Sequence, residues 1–421
     1  TLQFIDPLLE EGHIVHLVAM RITGLEESFQ REVRVQKGNL TYISVDEVAC
    51  FRSDEYLQCQ HDEFQPDCII GVNAFPSTRA VQIRTQCPVW ADINGYSMGE
   101  AQTKAYREGD DLYVGHNWNQ QKPALERADK FSSASDLQRH ILVGELGTVG
   151  RLNRYTMGYN FVHTVPEGRK ETPIVLTDNN PRWTEFRPED FLVLWSGGYN
   201  LWCDVDTMFA GLERAMAQES RIHFVSTGGI IDGVDEKTYP HFQEMVSRSQ
   251  FSDRFHLKGW IPFEQVPDYF LCSDIGINVD AQCYESMYGA RNRITDMMRA
   301  GLPILTTLGT EISRLVGEAQ CGLTFPIGNA EALSEALLYA AHHSDEMRLM
   351  GNAGKDYFQK YYTFRETIKP VLQWVSSPSH APDWGKPKPL QEPPQPVTSV
   401  PTSQTFWHRV LSKFKEKGYW A

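Results

Sequence analysis

The sequence predicts an α/β protein. Two Rossmann-like parallel-sheet domains face a cleft, followed by a proline-rich tail and a terminal helix. Three observations lead there. The chain of 421 residues is longer than one ordinary hydrophobic core accommodates. From residue 191 onward, apolar runs of strand length alternate with amphipathic stretches of helix length, joined by short connections. A polar segment at 169–190, carrying Pro173, Pro181 and Pro188, divides this alternation from a fainter copy of it.

The first domain is expected over 1–168. The chain begins inside a helix, Leu2–Glu11, that feeds a strand at His13–Ala19. A strand and glycine-rich loop normally precede such a helix, so the true first strand is expected upstream of Thr1. Further strands are expected at Leu40–Val45, Cys68–Val72, Pro88–Ala91, Lys130–Ser133 and Phe161–Val165. Helices fall between them, notably at Met98–Tyr106 and Ser135–Glu145.

After the linker at 169–190, the second domain is expected over 191–375. Phe191–Trp195 reads as a strand, Ser196 to Asn200 as a tight loop, and Asp206–Gln218 as a helix with Met208, Leu212 and Ala215 on one face. Then come a strand at Ile222–Ser226, a helix at Lys237–Ser249, a strand at Phe255–Leu257 and a helix at Val266–Cys272. Ile275–Val279 is a buried strand, and a helix opening at Gly289 to Arg293 closes at Gly301. Ile304–Thr306, Glu311–Glu318, Gly322–Phe325 and Ala330–Ala341 continue the alternation, which implies a parallel sheet covered on both faces. Residues 376–403 hold eight prolines and read as an extended linker. A last helix at 404–421 aligns Trp407, Val410, Leu411 and Phe414 beside Arg409, Lys413, Lys415 and Lys417. Such a basic amphipathic helix suits an anionic membrane surface, or docking on protein.

Composition narrows the function. At 41% hydrophobic and 22% charged residues this is globular material. A formal charge of −14 offers no surplus of Lys and Arg for a nucleic-acid backbone, so no nucleic-acid partner is expected. One phosphorylated small ligand needs only a local basic pocket. Eight cysteines (Cys50, Cys59, Cys68, Cys87, Cys203, Cys272, Cys283 and Cys321) show neither a CxxC pair nor metal-ligand spacing. They are expected as free thiols in a reducing cytoplasm. No apolar run approaches the roughly 18 residues of a membrane span.

The segment Asp274 to Thr307 is the most telling. A loop carrying Asp280 and Glu285 follows a buried strand, and a helix with Arg291, Arg293 and Asp296 in its first turns follows the loop. Ligands bind at the carboxyl ends of strands in open α/β sheets. A helix N-terminus beside arginine suits phosphate, and a carboxylate one turn on suits a sugar hydroxyl. This predicts a nucleotide-sugar site. Two residues apart, the arginines do not share a helical face, so a regular first turn lets only one touch phosphate. Gly197 and Gly198 fit close approach of backbone to a pyrophosphate, or a plain turn. Asp204-Val205-Asp206 mimics a metal-binding DxD, but it directly precedes a helix, where capping accounts for it. Asp92, Asn94 and Asn73 are expected at the cleft edge of the first domain. His116 and His163 are alternatives there, although a lone histidine is more often structural. No P-loop is present, and no GxGxxG follows a strand.

The second half resembles the donor domain of glycosyltransferase family 4, which has the GT-B fold, from about Phe191 to Trp374. The resemblance rests on Phe255 to Pro262 with Val266-Pro267-Asp268-Tyr269, on Ser273 to Asn278, and on Met297 to Leu305. Over Gly12 to Pro166 it is fainter, carried by Phe131 to Ser135 and Val162 to Pro166. It implies a retaining, metal-independent hexosyltransferase without a cofactor, acting from a nucleotide-sugar donor on a glycan, lipid-linked or protein acceptor. It assigns Trp260 and Ile261 to the nucleobase, and it places Asp296 and Tyr288 at the two glutamate positions of the family signature. Asp296 can still hold ribose, whereas Tyr288 cannot act as glutamate, and Glu285 is the substitute. The family's Arg and Lys after the domain's first strand are replaced by Gly197-Gly198-Tyr199-Asn200, so Arg291 and Arg293 are expected to supply the charge, with Gly289 opening their loop. Asp92 stands where the family often has His, to orient a hydroxyl or accept a proton. These departures keep other readings open: a nucleotide-sugar-binding or scaffold protein without catalysis, or an epimerase or hydrolase. A cytoplasmic location, peripheral to the inner membrane surface through 404–421, is expected.

Overall fold

The computed structural model describes residues 1–21, 32–46, 54–176 and 180–387. The tail helix expected at 404–421, and the proline-rich segment from 388 onward, lie outside the described residues. The first lobe holds two sheets rather than one. In the first, β1 (Val15–Arg21), β2 (Glu32–Lys37) and β3 (Leu40–Asp46) lie in the order β1-β3-β2, with β3 parallel to β1 and antiparallel to β2. β2 was not expected; its Glu-Val-Arg-Val-Gln-Lys alternation is too polar to stand out as an apolar run. The second sheet is parallel, with β4 (Ile69–Val72), β5 (Val89–Asp92), β6 (Lys130–Ser133) and β7 (Val162–Thr164) in sequence order. Strand alternation sends Val89 and Ala91 to the core of Leu125, Phe131 and Leu146, and Trp90 to that of Phe4, Val165 and Trp374.

The second lobe is one six-stranded parallel sheet. Its strands are β8 (Phe191–Ser196), β9 (Ile222–Thr227), β10 (Phe255–Leu257), β11 (Ile275–Asn278), β12 (Ile304–Thr307) and β13 (Gly322–Phe325), in the order β10-β9-β8-β11-β12-β13. Chain direction across the sheet reverses between β8 and β11, which opens a crevice at their carboxyl ends. β8 is buried on both faces, so it reads as a continuous apolar run: Val193 and Trp195 enter one core, Leu192 and Leu194 the other. Gly301, at φ +73°, closes the Asn292–Ala300 helix in the left-handed region and turns the chain toward β12.

The chain crosses between lobes twice, and the crossings touch. Arg169 N–H donates to Tyr362 O and Phe364 N–H donates to Arg169 O, both at 2.9 Å. A methyl group at Gly168 would press on Thr367 and on the Tyr362 carbonyl, so the glycine permits this approach. Beyond the second crossing, Ile368, Val371, Leu372 and Trp374 pack against the first lobe. Residues 380–383 continue along it, where buried Arg151 pairs with Asp383 at 2.7 Å.

Candidate functional site

The site begins where β8 ends. Gly197 adopts φ +96°, a conformation that glycine takes without steric cost. A methyl at Gly228 would overlap the Gly197 carbonyl, and one at Gly198 would overlap Ile231, so the loops after β8 and β9 are pressed together. Tyr199 is wholly buried, hydrogen-bonded to Ser226 at 2.8 Å and stacked on Trp195; it belongs to the core. Asn200 turns the chain, its carbonyl accepting from Cys203 N–H. Asp204 caps the Val205–Gln218 helix, accepting from Thr207 N–H at 2.9 Å, and Asp206 faces His241.

The two arginines part company. Arg291, in extended backbone at the helix N-cap, is buried between two carboxylates. It meets Glu285 through two bonds of 2.9 and 2.7 Å and Asp280 at 3.2 Å. Asp280 also accepts from Asn278 at 2.7 Å, and burial raises the Glu285 carboxyl above its ordinary value. A methyl at Gly289 would collide with both Glu285 and Arg291, so that glycine lets the ion-pair cluster close. Arg291 therefore has no charge to spare.

Arg293 does. Its guanidinium lies 3.9 Å over the Trp195 ring, and Nη2 donates to the Gly198 carbonyl at 3.1 Å. Nη1 is buried without a hydrogen-bond partner, and burial lowers the group's pKa. Trp202, beneath Arg291, also leaves its indole N–H buried and unpartnered. A cation with an unpartnered N–H thus sits against the glycine loop at the switch point, beside the positive end of the Asn292–Ala300 helix dipole, where Ile294 N–H already donates to Arg291 O at 3.0 Å.

The remaining expected residues are dispersed around this point. Asp296 gives both oxygens to Arg169, at 2.7 and 3.0 Å, near the lobe crossing. Tyr288 stacks with Tyr284, meets Tyr96 of the first lobe edge-on, and accepts from Gln138 at its carbonyl. Trp260 is 60% exposed, with its N–H bound to Ile230 O and its ring beside Gly198; Ile261 packs into the core behind it. In the first lobe, Asp92 is 4% exposed and accepts from Ser132 Oγ at 2.5 Å. Burial, with Glu167 nearby, pushes its carboxyl up to about 7. Asn94 bonds Glu167, while Asn73 is exposed at φ +74°. His163 stacks on Trp90, and burial lowers it to about 4; His116 lies exposed on the Leu112–Arg127 helix.

Residues 191–343 match the family model described as Glycosyl transferases group 1. No curated protein sequence matches the chain. Among solved structures, sucrose-phosphate synthase from Thermosynechococcus elongatus is similar at TM-score 0.68 and 14% identity, covering 88% of this chain and 90% of that one. The alpha,alpha-trehalose-phosphate synthase from Burkholderia vietnamiensis is similar at TM-score 0.64 and 11% identity, covering 89% and 96%. Anabaena HepE, in complex with UDP and glucose, is similar at TM-score 0.61 and 11% identity, covering 81% and 87%. The fold is GT-B.

Several residues at the GT-B cleft gave no signal in the sequence. Glu100, in the first turn of the Ser97–Glu108 helix, is pushed up to about 7 by burial and by Glu285 across the cleft. The far end of that helix reaches the loop after β9: Arg107 meets Asp235 at 2.6 Å and Thr238 at 2.7 Å, and Glu108 meets Lys237 at 2.8 Å. Such pairs join residues more than a hundred positions apart, and no local spacing announces them. Among the described residues, no helix is long and apolar enough to cross a membrane, and all seven cysteines are free.

Proposed function

We propose that the chain transfers a sugar from a nucleotide-sugar donor to an acceptor hydroxyl in the cleft between its lobes. The observation that carries this reading is Arg293. A buried guanidinium with an unpartnered N–H is costly unless an anion completes it. A diphosphate between Gly197, Gly198 and the N-terminus of the Asn292–Ala300 helix would do so. The match of residues 191–343 to a glycosyltransferase model, and the UDP and glucose held by the similar HepE, support that donor class. In this reading Arg293 stabilises the charge that develops on the leaving diphosphate. Trp260 offers its exposed ring to the base. Asp92 orients the acceptor hydroxyl, and lobe closure excludes water. The leaving phosphate takes the acceptor proton, with retention at the anomeric carbon, transfer of a hexose, and no metal or cofactor. The reaction is assigned to the cytoplasm, and the acceptor is a glycan, lipid-linked or protein hydroxyl.

A thermal-shift and product screen against UDP-, GDP-, ADP- and dTDP-sugars tests the reading. One donor is expected to stabilise the protein and release its nucleoside diphosphate. Stabilisation without release would point to a binding module, and no stabilisation would refute the site. Transfer is expected to survive a metal chelator; complete loss would remove the metal-free step.

A further inference from the structure

A second cluster of reactive side chains lies at the other end of β5, at the amino-terminal edge of the sheet away from Asp92. His61, in the last turn of the Asp54–Phe64 helix, places Nδ1 2.9 Å from Asp62 Oδ1. Asp62 also accepts from Gln58 at 2.9 Å, and these two bonds, His61 first, hold its carboxyl below the ordinary value. An ionised carboxylate can only accept, so this contact selects the neutral tautomer with the proton on Nδ1 and the lone pair on Nε2. Nε2 accepts from Thr85 Oγ1 at 2.8 Å, a hydroxyl that itself accepts from Cys87 N–H at 2.9 Å, and rotation of that hydroxyl frees Nε2 for Cys87 Sγ 3.9 Å away. The Cys87 thiol rests on the Pro66 carbonyl at 2.7 Å, and rotation about Cβ–Sγ turns its proton toward His61. Gln65, at φ +51°, is held in the left-handed region just before Pro66 and donates to His61 O.

These groups line a surface cavity of about 700 Å³, together with Gln65, Thr85 and Arg84. That is the size of a small-molecule pocket, and most of its lining residues carry a polar side chain. Burial pushes the Cys68, Cys203 and Cys321 thiols up to about 12 and Cys272 up to about 11. Cys59 is exposed on the same helix as His61, and among the described residues no base pairs with its thiol.

We propose that Cys87 is a modification site that takes a small, polar disulfide by thiol–disulfide exchange, with His61 as its base and Asp62 fixing the imidazole tautomer. The thiol proton passes to His61 Nε2 and Sγ attacks one sulfur of the disulfide. The S–S bond breaks as a new one forms to Cys87, and the departing thiolate takes the proton from His61. Cys87 is oxidised to the mixed disulfide while half of the incoming disulfide is reduced to a thiol. This site stands apart from the cleft and does not depend on the proposed transferase activity.

The test uses the full chain and 5,5′-dithiobis(2-nitrobenzoate) as the disulfide. Released thionitrobenzoate is followed optically, and the modified cysteine is identified by peptide mass spectrometry. Cys87 is expected to react before Cys59. His61→Gln is expected to slow Cys87 by about tenfold and leave Cys59 unchanged, because only Cys87 loses a base. Asp62→Asn, at an exposed position, gives the same direction more weakly and serves if the first variant does not fold. Reaction at Cys59 before Cys87, or a Cys87 rate unchanged in the folded variants, would overturn the proposal.

Discussion

Replacing Arg293 by methionine separates what the residue does for the fold from what it does for the ligand. Methionine is of similar length and fills the slot over Trp195. Three contributions then compete in the unliganded protein. Losing the stack at 3.9 Å removes up to about 2 kcal/mol, and losing the bond to Gly198 about 1.5 kcal/mol. Against these, an isolated cation no longer has to stay out of water, which is worth several kcal/mol. The sum lies between zero and roughly 2 kcal/mol in favour of the variant, or a Tm rise of up to about 6 °C. Nucleotide binding moves the other way. Loss of charge-assisted bonds to a diphosphate costs about 3 kcal/mol, roughly a hundredfold in Kd. Differential scanning fluorimetry supplies Tm, and calorimetric titration with UDP, GDP, ADP and dTDP supplies Kd. A Tm drop of more than roughly 6 °C, with Kd within about threefold of the parent, would refute the reasoning.

Arg291→Met should behave oppositely although the two side chains are neighbours in sequence: it strands the Asp280 and Glu285 carboxylates in the interior, costing about 3–5 kcal/mol, and an unchanged melting temperature would contradict the ion-pair description. Asp92 yields a pH test. Its carboxyl moves from 3.8 to about 7 on folding, so the folded state keeps a proton that the unfolded chain releases between those values. Its stabilising contribution is therefore full at low pH and lost as pH rises toward 7, by about 4 kcal/mol in total. Asp92→Asn should flatten that part of the stability profile, and equal urea midpoint differences between pH 5 and pH 8 in parent and variant would rule it out. Arg107→Met cuts the contacts to Asp235 and Thr238 and should widen the cleft; small-angle scattering should report a larger radius of gyration, and no change would count against the contact.

The second lobe was legible because its central strands are buried on both faces. Runs such as Phe191 to Trp195 and Ile275 to Val279 have few competing interpretations, and Gly301 and Asp204 punctuate the helices by local chemistry alone. The first lobe was less so. β2 alternates polar and apolar residues too weakly, and the division into two sheets depends on which strands pair, a long-range property. The site was legible as a neighbourhood but not as an arrangement. The sequence brings Arg291 and Arg293 to one helix start, and only packing tells which is neutralised. Asp280 and Glu285 surround Arg291 because Gly289 allows it, while Asp296 meets Arg169, a linker residue with no motif of its own.

The paired crossings at Arg169 and Thr363 act as a hinge pin. Two chain segments that pass between lobes at separate points would permit twisting as well as opening. Held side by side by two backbone hydrogen bonds, they leave one axis about which the lobes can turn, set close to the Gly168 approach. Arg169 itself reaches from that axis to Asp296, so the helix that presents Arg293 is braced at the pivot, where a given rotation displaces it least. An opening about that axis would have to break the Arg107 contact to the loop after β9, while Arg169 could keep its hold on Asp296.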